Sequence, residues 1–167
     1  TPSPISTDAA ERICKRFAID QVRFTNSGTE STMYAVRVAR AATGKLGIVK
    51  IEGGYHGSYD PFVVSSKPPL DKVGNPDKPN AVIDSNLVPG DIYVVPFNNA
   101  EALERMFKKK GKNIACFIVE PVLENLAIVL PDEGYLERVR ELCDQYGIVL
   151  IFDEVKTGLT AGARGAA

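Results

Sequence analysis

Four short segments hold the residues able to do chemistry: Ser27-Gly28-Thr29, Gly54-Tyr55-His56-Gly57, Glu120-Pro121 and Asp153-Glu154-Val155. Each follows a segment that reads as a strand, and in parallel sheets ligands collect at the carboxyl ends of strands. In the first segment a small polar loop opens a helix. Free backbone N–H groups, the helix dipole and two hydroxyls make an anion cradle there, or simply an N-cap. Asp153 directly follows the apolar residues 148–152. A carboxylate in that place is costly unless a cation or donors meet it, and either a structural ion pair or a ligand would do so. Tyr55 and His56 follow Gly53-Gly54, a pair that lets the backbone turn sharply. A packed loop tyrosine and a hydrogen-bonded loop histidine are the plain alternatives for them.

Several chemistries drop out. His56 is the single histidine, which removes HExxH and the Cys/His zinc spacings. Cys14, Cys116 and Cys143 are odd in number and far apart, as expected of a reducing compartment rather than a disulfide framework. A GxGxxG fingerprint built on Gly54 and Gly57 would need glycine at Glu52. A Walker loop ending at Gly44-Lys45 or Gly111-Lys112 would need glycine at Ala39 or Met106. The basic run Lys108-Lys109-Lys110-Gly111-Lys112 complements a helix C-terminus, with no aromatic or basic surface beside it to suggest nucleic acid.

The elements that must position these residues come from a chain of ordinary composition. Of 167 residues, 44% are apolar and 25% charged, and Lys plus Arg (20) nearly balance Asp plus Glu (21). Disorder is thereby excluded, and the balance gives no reason to expect nucleic acid or a membrane as partner. The longest apolar runs, 114–119 and 148–152, are too short to cross a bilayer. The opening residues show no basic patch followed by an apolar stretch, so a soluble, cytoplasmic chain is expected. The Gly/Ala-rich end, 158–167, carries no stop signal and reads as cut.

Periodicity predicts a helix over 7–17, a strand over 21–25, and a helix from Gly28 to about Ala42. Ser27 and Glu30 fit a capping box for that helix, and Gly44 fits its stop. A strand follows over 46–51. The stretch 61–96 holds seven of the eleven prolines; it reads as an extended strand near 62–64, a long irregular loop and a strand over 92–95. Asn98 is expected to cap a helix to about Lys110 that turns Ala102, Leu103, Met106 and Phe107 inward. A doubly buried strand is expected over 114–120, then a helix capped by Asp132 and stopped by Gly147, then a second buried strand over 148–152. Alternation of this kind indicates an α/β fold: three layers around a mostly parallel sheet. Strand geometry puts Val155 on the side of Asp153 and Lys156 on the other.

In order, Asn26-Ser27-Gly28-Thr29-Glu30, Glu52-Gly53-Gly54-Tyr55-His56-Gly57, Glu120-Pro121-Val122-Leu123-Glu124-Asn125 and Phe152-Asp153-Glu154-Val155-Lys156-Thr157-Gly158 resemble the class III aminotransferases. These are pyridoxal-phosphate enzymes of fold type I, and the chain looks nearest to the branch containing glutamate-1-semialdehyde aminomutase. The resemblance implies that 1–167 is a single partial domain, the central part of the cofactor-binding large domain. It implies that Ser27, Gly28 and Thr29 hold the pyridoxal 5'-phosphate phosphate group, that Tyr55 stacks on the ring with His56 beside it, and that Val155 packs on the opposite face. Asp153 would pair with the ring nitrogen. Asn125 would lie near the ring hydroxyl and Glu120 near the substrate. No catalytic residue is implied within the chain, since the family's Schiff-base lysine would fall beyond residue 167.

Lys156 stands where the family usually carries Met or Gln, and Leu159-Thr160 stands where it usually carries Phe-Arg. The implied reaction moves an amino group between an amino compound and a keto acid or aldehyde. An aminomutase, or an inactive fragment serving as a structural or dimerisation module, are the alternatives. Small-molecule amino donor and carbonyl acceptor are the implied partners. A homodimer is expected of the intact protein, with 61–96 near the subunit boundary.

Overall fold

Strands β1 (Gly47–Ile51), β2 (Ile92–Val95), β3 (Ile114–Val119) and β4 (Val149–Phe152) form one sheet of order β2-β1-β3-β4. All three pairings are parallel, and they set Val49 beside Tyr93 and Phe117, and Phe117 beside Leu150. The computed structural model describes residues 3–166 apart from 76 and 85. Helices α1 (Pro4–Phe17), α2 (Gly28–Thr43), α4 (Ala100–Lys110) and α5 (Tyr135–Tyr146), with the short helical turn α3 (Asp60–Val63), complete the described elements, besides two 3-10 turns.

Side-chain alternation divides the core in two. Val49, Ile51, Val95, Phe117 and Val119 meet Leu103 and Phe107 of α4 and Val139 and Leu142 of α5. On the other face Ile48, Cys116 and Ile118 meet Val36 and Ala39 of α2, with Phe62 beside them. The result is the expected three-layer α/β arrangement. Each fully buried aliphatic or aromatic side chain here contributes about 1.5–3 kcal/mol of transfer free energy. β1 and β3 are buried along their whole length.

Helix α2 starts and stops on the expected residues. Ser27 Oγ accepts the Glu30 N–H at 3.2 Å, and Gly44 ends the helix at φ +68°. Glu30 reaches back one residue further than a capping box requires, to the Asn26 N–H at 2.7 Å. Helix α1 begins earlier than its apolar residues suggest, because Ser3 caps it and Pro4 occupies its first turn.

Five local expectations are corrected. Residues 21–25 alternate but form no strand: no other segment pairs with them among the described residues, and their main chain makes no backbone–backbone hydrogen bonds there. Instead Arg23 lies over the Tyr34 ring at 4.3 Å. Residues 62–64 are not extended, since Pro61 presets a helical φ in the first turn of α3 and Phe62 folds under α2. Asn99, not Asn98, caps α4 by accepting the Ala102 N–H at 2.9 Å. Asn98 adopts φ +57° and ties the chain near Leu130 and Asp132 through both ends of its amide. Asp132 does not cap α5; Gly134, at φ +76°, precedes the helix without a side-chain cap. Finally β4 is half-buried rather than buried, because it pairs with β3 alone at the sheet edge.

The proline-rich stretch is anchored where it passes the sheet. Glu52 Oε1 accepts the N–H groups of Gly74 (3.0 Å) and Asn80 (3.1 Å). Ser65 bonds Val82 through both main chain and hydroxyl, at 2.9 and 2.8 Å.

Candidate functional site

The carboxyl ends of β1, β3 and β4 and the N-terminus of α2 enclose a cleft of about 250 Å3. All nine sequence-derived candidates line it: Ser27, Gly28, Thr29, Tyr55, His56, Glu120, Asn125, Asp153 and Val155. Gly57 and Lys156 line it as well.

Asp153 keeps the phase of β4 for one residue more, because its N–H donates to the Val119 carbonyl at 2.9 Å. Its side chain therefore emerges on the α2 side of the sheet. Oδ2 lies 2.8 Å from His56 Nδ1, and Oδ1 accepts the Val155 N–H at 3.1 Å. Both partners of the carboxylate–imidazole pair are buried, with side-chain exposures of 6% and 0%. An ionised carboxylate only accepts, so it fixes a proton on Nδ1 of the ring. His56 is held further by Phe62, whose ring meets it edge-on at 5.7 Å, and by the Thr32 hydroxyl, which donates to its carbonyl at 2.8 Å. Its Nε2 is buried without a hydrogen-bond partner. Each Asp153 oxygen retains a lone pair for a further donor.

At the α2 end, the first N–H groups have no intrahelical acceptor. Ser27 Oγ satisfies that of Glu30, which leaves Gly28 and Thr29 facing the cleft. Gly57 adopts φ +104°, and a Cβ there would meet Thr29 Oγ1 at 2.5 Å. The Ser58 N–H donates to the same hydroxyl at 3.3 Å. The turn carrying Tyr55 and His56 is thus interlocked with the helix start. On the other wall a Cβ at Gly28 would lie 2.9 Å from Val155, so the missing side chain is what lets those two segments close up.

Glu120 follows β3, and its carboxylate accepts both contacts of the Asn125 amide, at 3.2 and 3.3 Å. Burial holds this carboxyl above its usual range, opposed chiefly by the Asn125 amide. Lys156 is the correction: it lines the cleft instead of facing away, and its ammonium donates to Asn125 Oδ1 at 3.1 Å. The chain has left strand geometry by then. A turn replaces the ladder, with the Gly158 N–H bonded to the Glu154 carbonyl at 2.9 Å.

Sequence reasoning missed Lys50. In the middle of β1 it is fully buried, and Nζ donates to the carbonyls of Gly54 (2.8 Å) and Val64 (2.7 Å). Burial pushes its ammonium down to about 7, against the pull of Glu120 and Glu52. A lysine inside the run Gly47-Ile48-Val49-Lys50-Ile51, with a turn of glycines after it, was the available signal. Among the described residues no group of three or more His, Cys, Asp or Glu could hold a metal ion, and no helix is long and apolar enough to cross a membrane.

A parallel α/β sheet with an anion seat at a helix N-terminus and a buried carboxylate at a strand end belongs to the open-sheet ligand-binding class. The family profile described as Aminotransferase class-III matches residues 3–167, and the chain belongs to that family. It is 41% identical over 166 residues to the glutamate-1-semialdehyde 2,1-aminomutase of Myxococcus xanthus (strain DK1622), an alignment covering 99% of this chain and 38% of that protein. Its fold superposes on an omega-transaminase from Sphaerobacter thermophilus with a TM-score of 0.88 and 35% identity, over 99% of this chain and 38% of that one. A transaminase structure with PLP bound matches at a TM-score of 0.87 and 34% identity, with the same coverage. The chain therefore spans 38% of the length of these relatives.

Proposed function

We propose that the intact protein is a pyridoxal-phosphate-dependent aminotransferase and that this cleft is its cofactor site. The observation that carries the reading is the buried Asp153–His56 pair, which opens into the same cleft as the N-terminus of α2. The donor set fits the cofactor. Gly28 and Thr29 N–H groups with the Ser27 and Thr29 hydroxyls suit a phosphate dianion, and the spare lone pairs of Asp153 suit a protonated ring nitrogen. Tyr55 and Val155 line the space between these ends, where a flat ring would be flanked. Bound there, the cofactor would supply an electron sink for bonds broken at the amino carbon of a substrate.

The chain's own residues then have distinct tasks. Asp153 would hold a proton on the ring nitrogen, because a carboxylate beside a buried ring cation offsets the cost of burying it. His56 orients that carboxylate through Nδ1, and Phe62 and Thr32 orient His56. Tyr55 and Val155 would flank the ring and orient it in the cleft. Asn125 sits between Glu120 and Lys156 and fixes the wall that faces an incoming amino donor or carbonyl acceptor.

Pyridoxal phosphate titrated into the intact protein, followed by absorbance, tests this. Asp153→Ala should weaken binding about 10- to 100-fold, the worth of a charge-assisted hydrogen bond. Equal affinity for both proteins would refute the assignment.

A second reading, an aminomutase that moves the amino group within one molecule, is favoured by the identity to the Myxococcus relative. Consumption of a separate carbonyl acceptor, one for each amino group released, would exclude it. For the intact protein we also propose a homodimer, supported by apolar residues such as Leu70 and Val88 that remain exposed in the proline-rich stretch. A reducing compartment is proposed from the buried free thiols of Cys116 and Cys143, and cell fractionation checks it.

A further inference from the structure

Among the described residues Lys156 is the one lysine or arginine lining the cleft, and neither the anion seat nor the Asp153–His56 pair uses it. The turn after β4 brings it there. Glu154 fixes that turn: its carbonyl accepts the Gly158 N–H and its carboxylate the Thr157 hydroxyl, both at 2.9 Å. The Lys156 carbonyl is tied down in turn by the Thr160 hydroxyl at 2.6 Å.

The ammonium is held but not neutralised. It donates to Asn125 Oδ1 at 3.1 Å, and the Asn125 amide donates to the Glu120 carboxylate beyond it. The neutral amide therefore stands between the cation and the nearest anion of this wall. None of the ion pairs among the described residues includes Lys156. An ammonium has three N–H donors, and one acceptor leaves two for other partners. Fixing a long lysine side chain in one rotamer costs conformational entropy that a lone neutral acceptor at an exposed position repays poorly. An anionic oxygen in the cleft would repay it.

We propose that Lys156 is a ligand-binding residue of this cleft whose ammonium takes an anionic oxygen, either the phenolate of the hydroxypyridine cofactor or the carboxylate of an amino or keto acid substrate. The inference rests on the reading of the cleft as a pyridoxal-phosphate site. It adds a specific cation to a wall that otherwise carries only Glu120 and the Asn125 amide, and so sets which ligands that wall accepts.

Two titrations of the intact protein separate the sources. Pyridoxal phosphate is added to wild type, Lys156→Met and Lys156→Arg, read as Kd and as the pH midpoint of the bound chromophore. Succinate is then added to the loaded forms as a carboxylate probe. If the phenolate is the partner, Lys156→Met raises the Kd for pyridoxal phosphate about tenfold and moves the chromophore midpoint to higher pH. If the carboxylate is the partner, that Kd holds and the Kd for succinate rises about tenfold. Lys156→Arg keeps the charge and should restore the affected value to within about threefold of wild type. Wild-type values for Lys156→Met in both titrations overturn the inference. Failure of the wild type to bind pyridoxal phosphate at all overturns the cofactor reading itself, so the two failures are distinguishable.

Discussion

Replacing Lys50 with methionine removes a charge that the fold has sealed inside β1. The two side chains have similar length, but methionine neither titrates nor donates. Two buried carbonyls, those of Gly54 and Val64, lose their partner. Each buried acceptor left unsatisfied costs about 1–3 kcal/mol. Against that loss stands the gain from no longer burying an ammonium, and its size depends on pH. Lys50 loses its proton at about 7 in the folded chain, and near 10.4, roughly the ordinary lysine value, in the unfolded one.

Between those limits the unfolded chain binds a proton that the folded chain does not. Wild-type stability therefore rises with pH across this window, by at most about 1.4 kcal/mol per unit. The contribution is complete above the unfolded value and is lost as pH falls toward the folded one. Lys50→Met has no such slope. Denaturant unfolding followed by far-ultraviolet circular dichroism should show the stability gap between the two proteins widening by about 3 kcal/mol from about pH 6.5 to about pH 9.5. A gap that stays constant would refute the reasoning, since Lys50 would then keep its proton in the core. A neutral amine still has two N–H groups, enough for both carbonyls. Deprotonation alone therefore leaves the turn that carries Tyr55 and His56 in place, and the cleft should not change shape across the same range.

Gly57→Ala puts a Cβ at φ +104° against Thr29 Oγ1, with 2.5 Å between them. The turn must move away from the start of α2, and the affinity for pyridoxal phosphate should fall at least about tenfold while far-ultraviolet circular dichroism stays near wild type; unchanged affinity would show that the interlock does not shape the cleft. Light scattering of the intact protein should give the mass of a dimer at micromolar concentration, and a stable monomer would refute the assembly proposed above.

What could be read from the sequence, and what could not, follows the range over which each signal acts. The candidate site was legible because its residues fall where one kind of element gives way to another. Ser27 ends a polar loop and opens α2, Glu120 and Asp153 each follow an apolar run, and Gly53-Gly54 ends β1. Those boundaries are marked by local composition. The segment 21–25 was illegible for the converse reason, since a strand exists only where another backbone lies alongside, and alternation cannot supply the neighbour. Lys50 was passed over because one polar residue in a short apolar run looks like the exposed side of a strand. β1, however, lies between β2 and β3 with residues of both core layers on its faces.

Lys156 shows where a period of two stops being evidence. Asp153 retains the strand's phase because its N–H still bonds Val119 across the ladder. Val155 and Lys156 have no ladder bond. The Val155 N–H turns back to the Asp153 carboxylate at 3.1 Å, and Lys156 swings over the same cleft. Val155 was thus placed on the correct wall by an extrapolation that no longer applied, and Lys156 on the wrong one by the same step. Side-chain direction beyond a strand is set by the bonds the chain makes next; here the Val155 N–H meets the Asp153 carboxylate, the Lys156 ammonium meets Asn125, and both residues line the cleft.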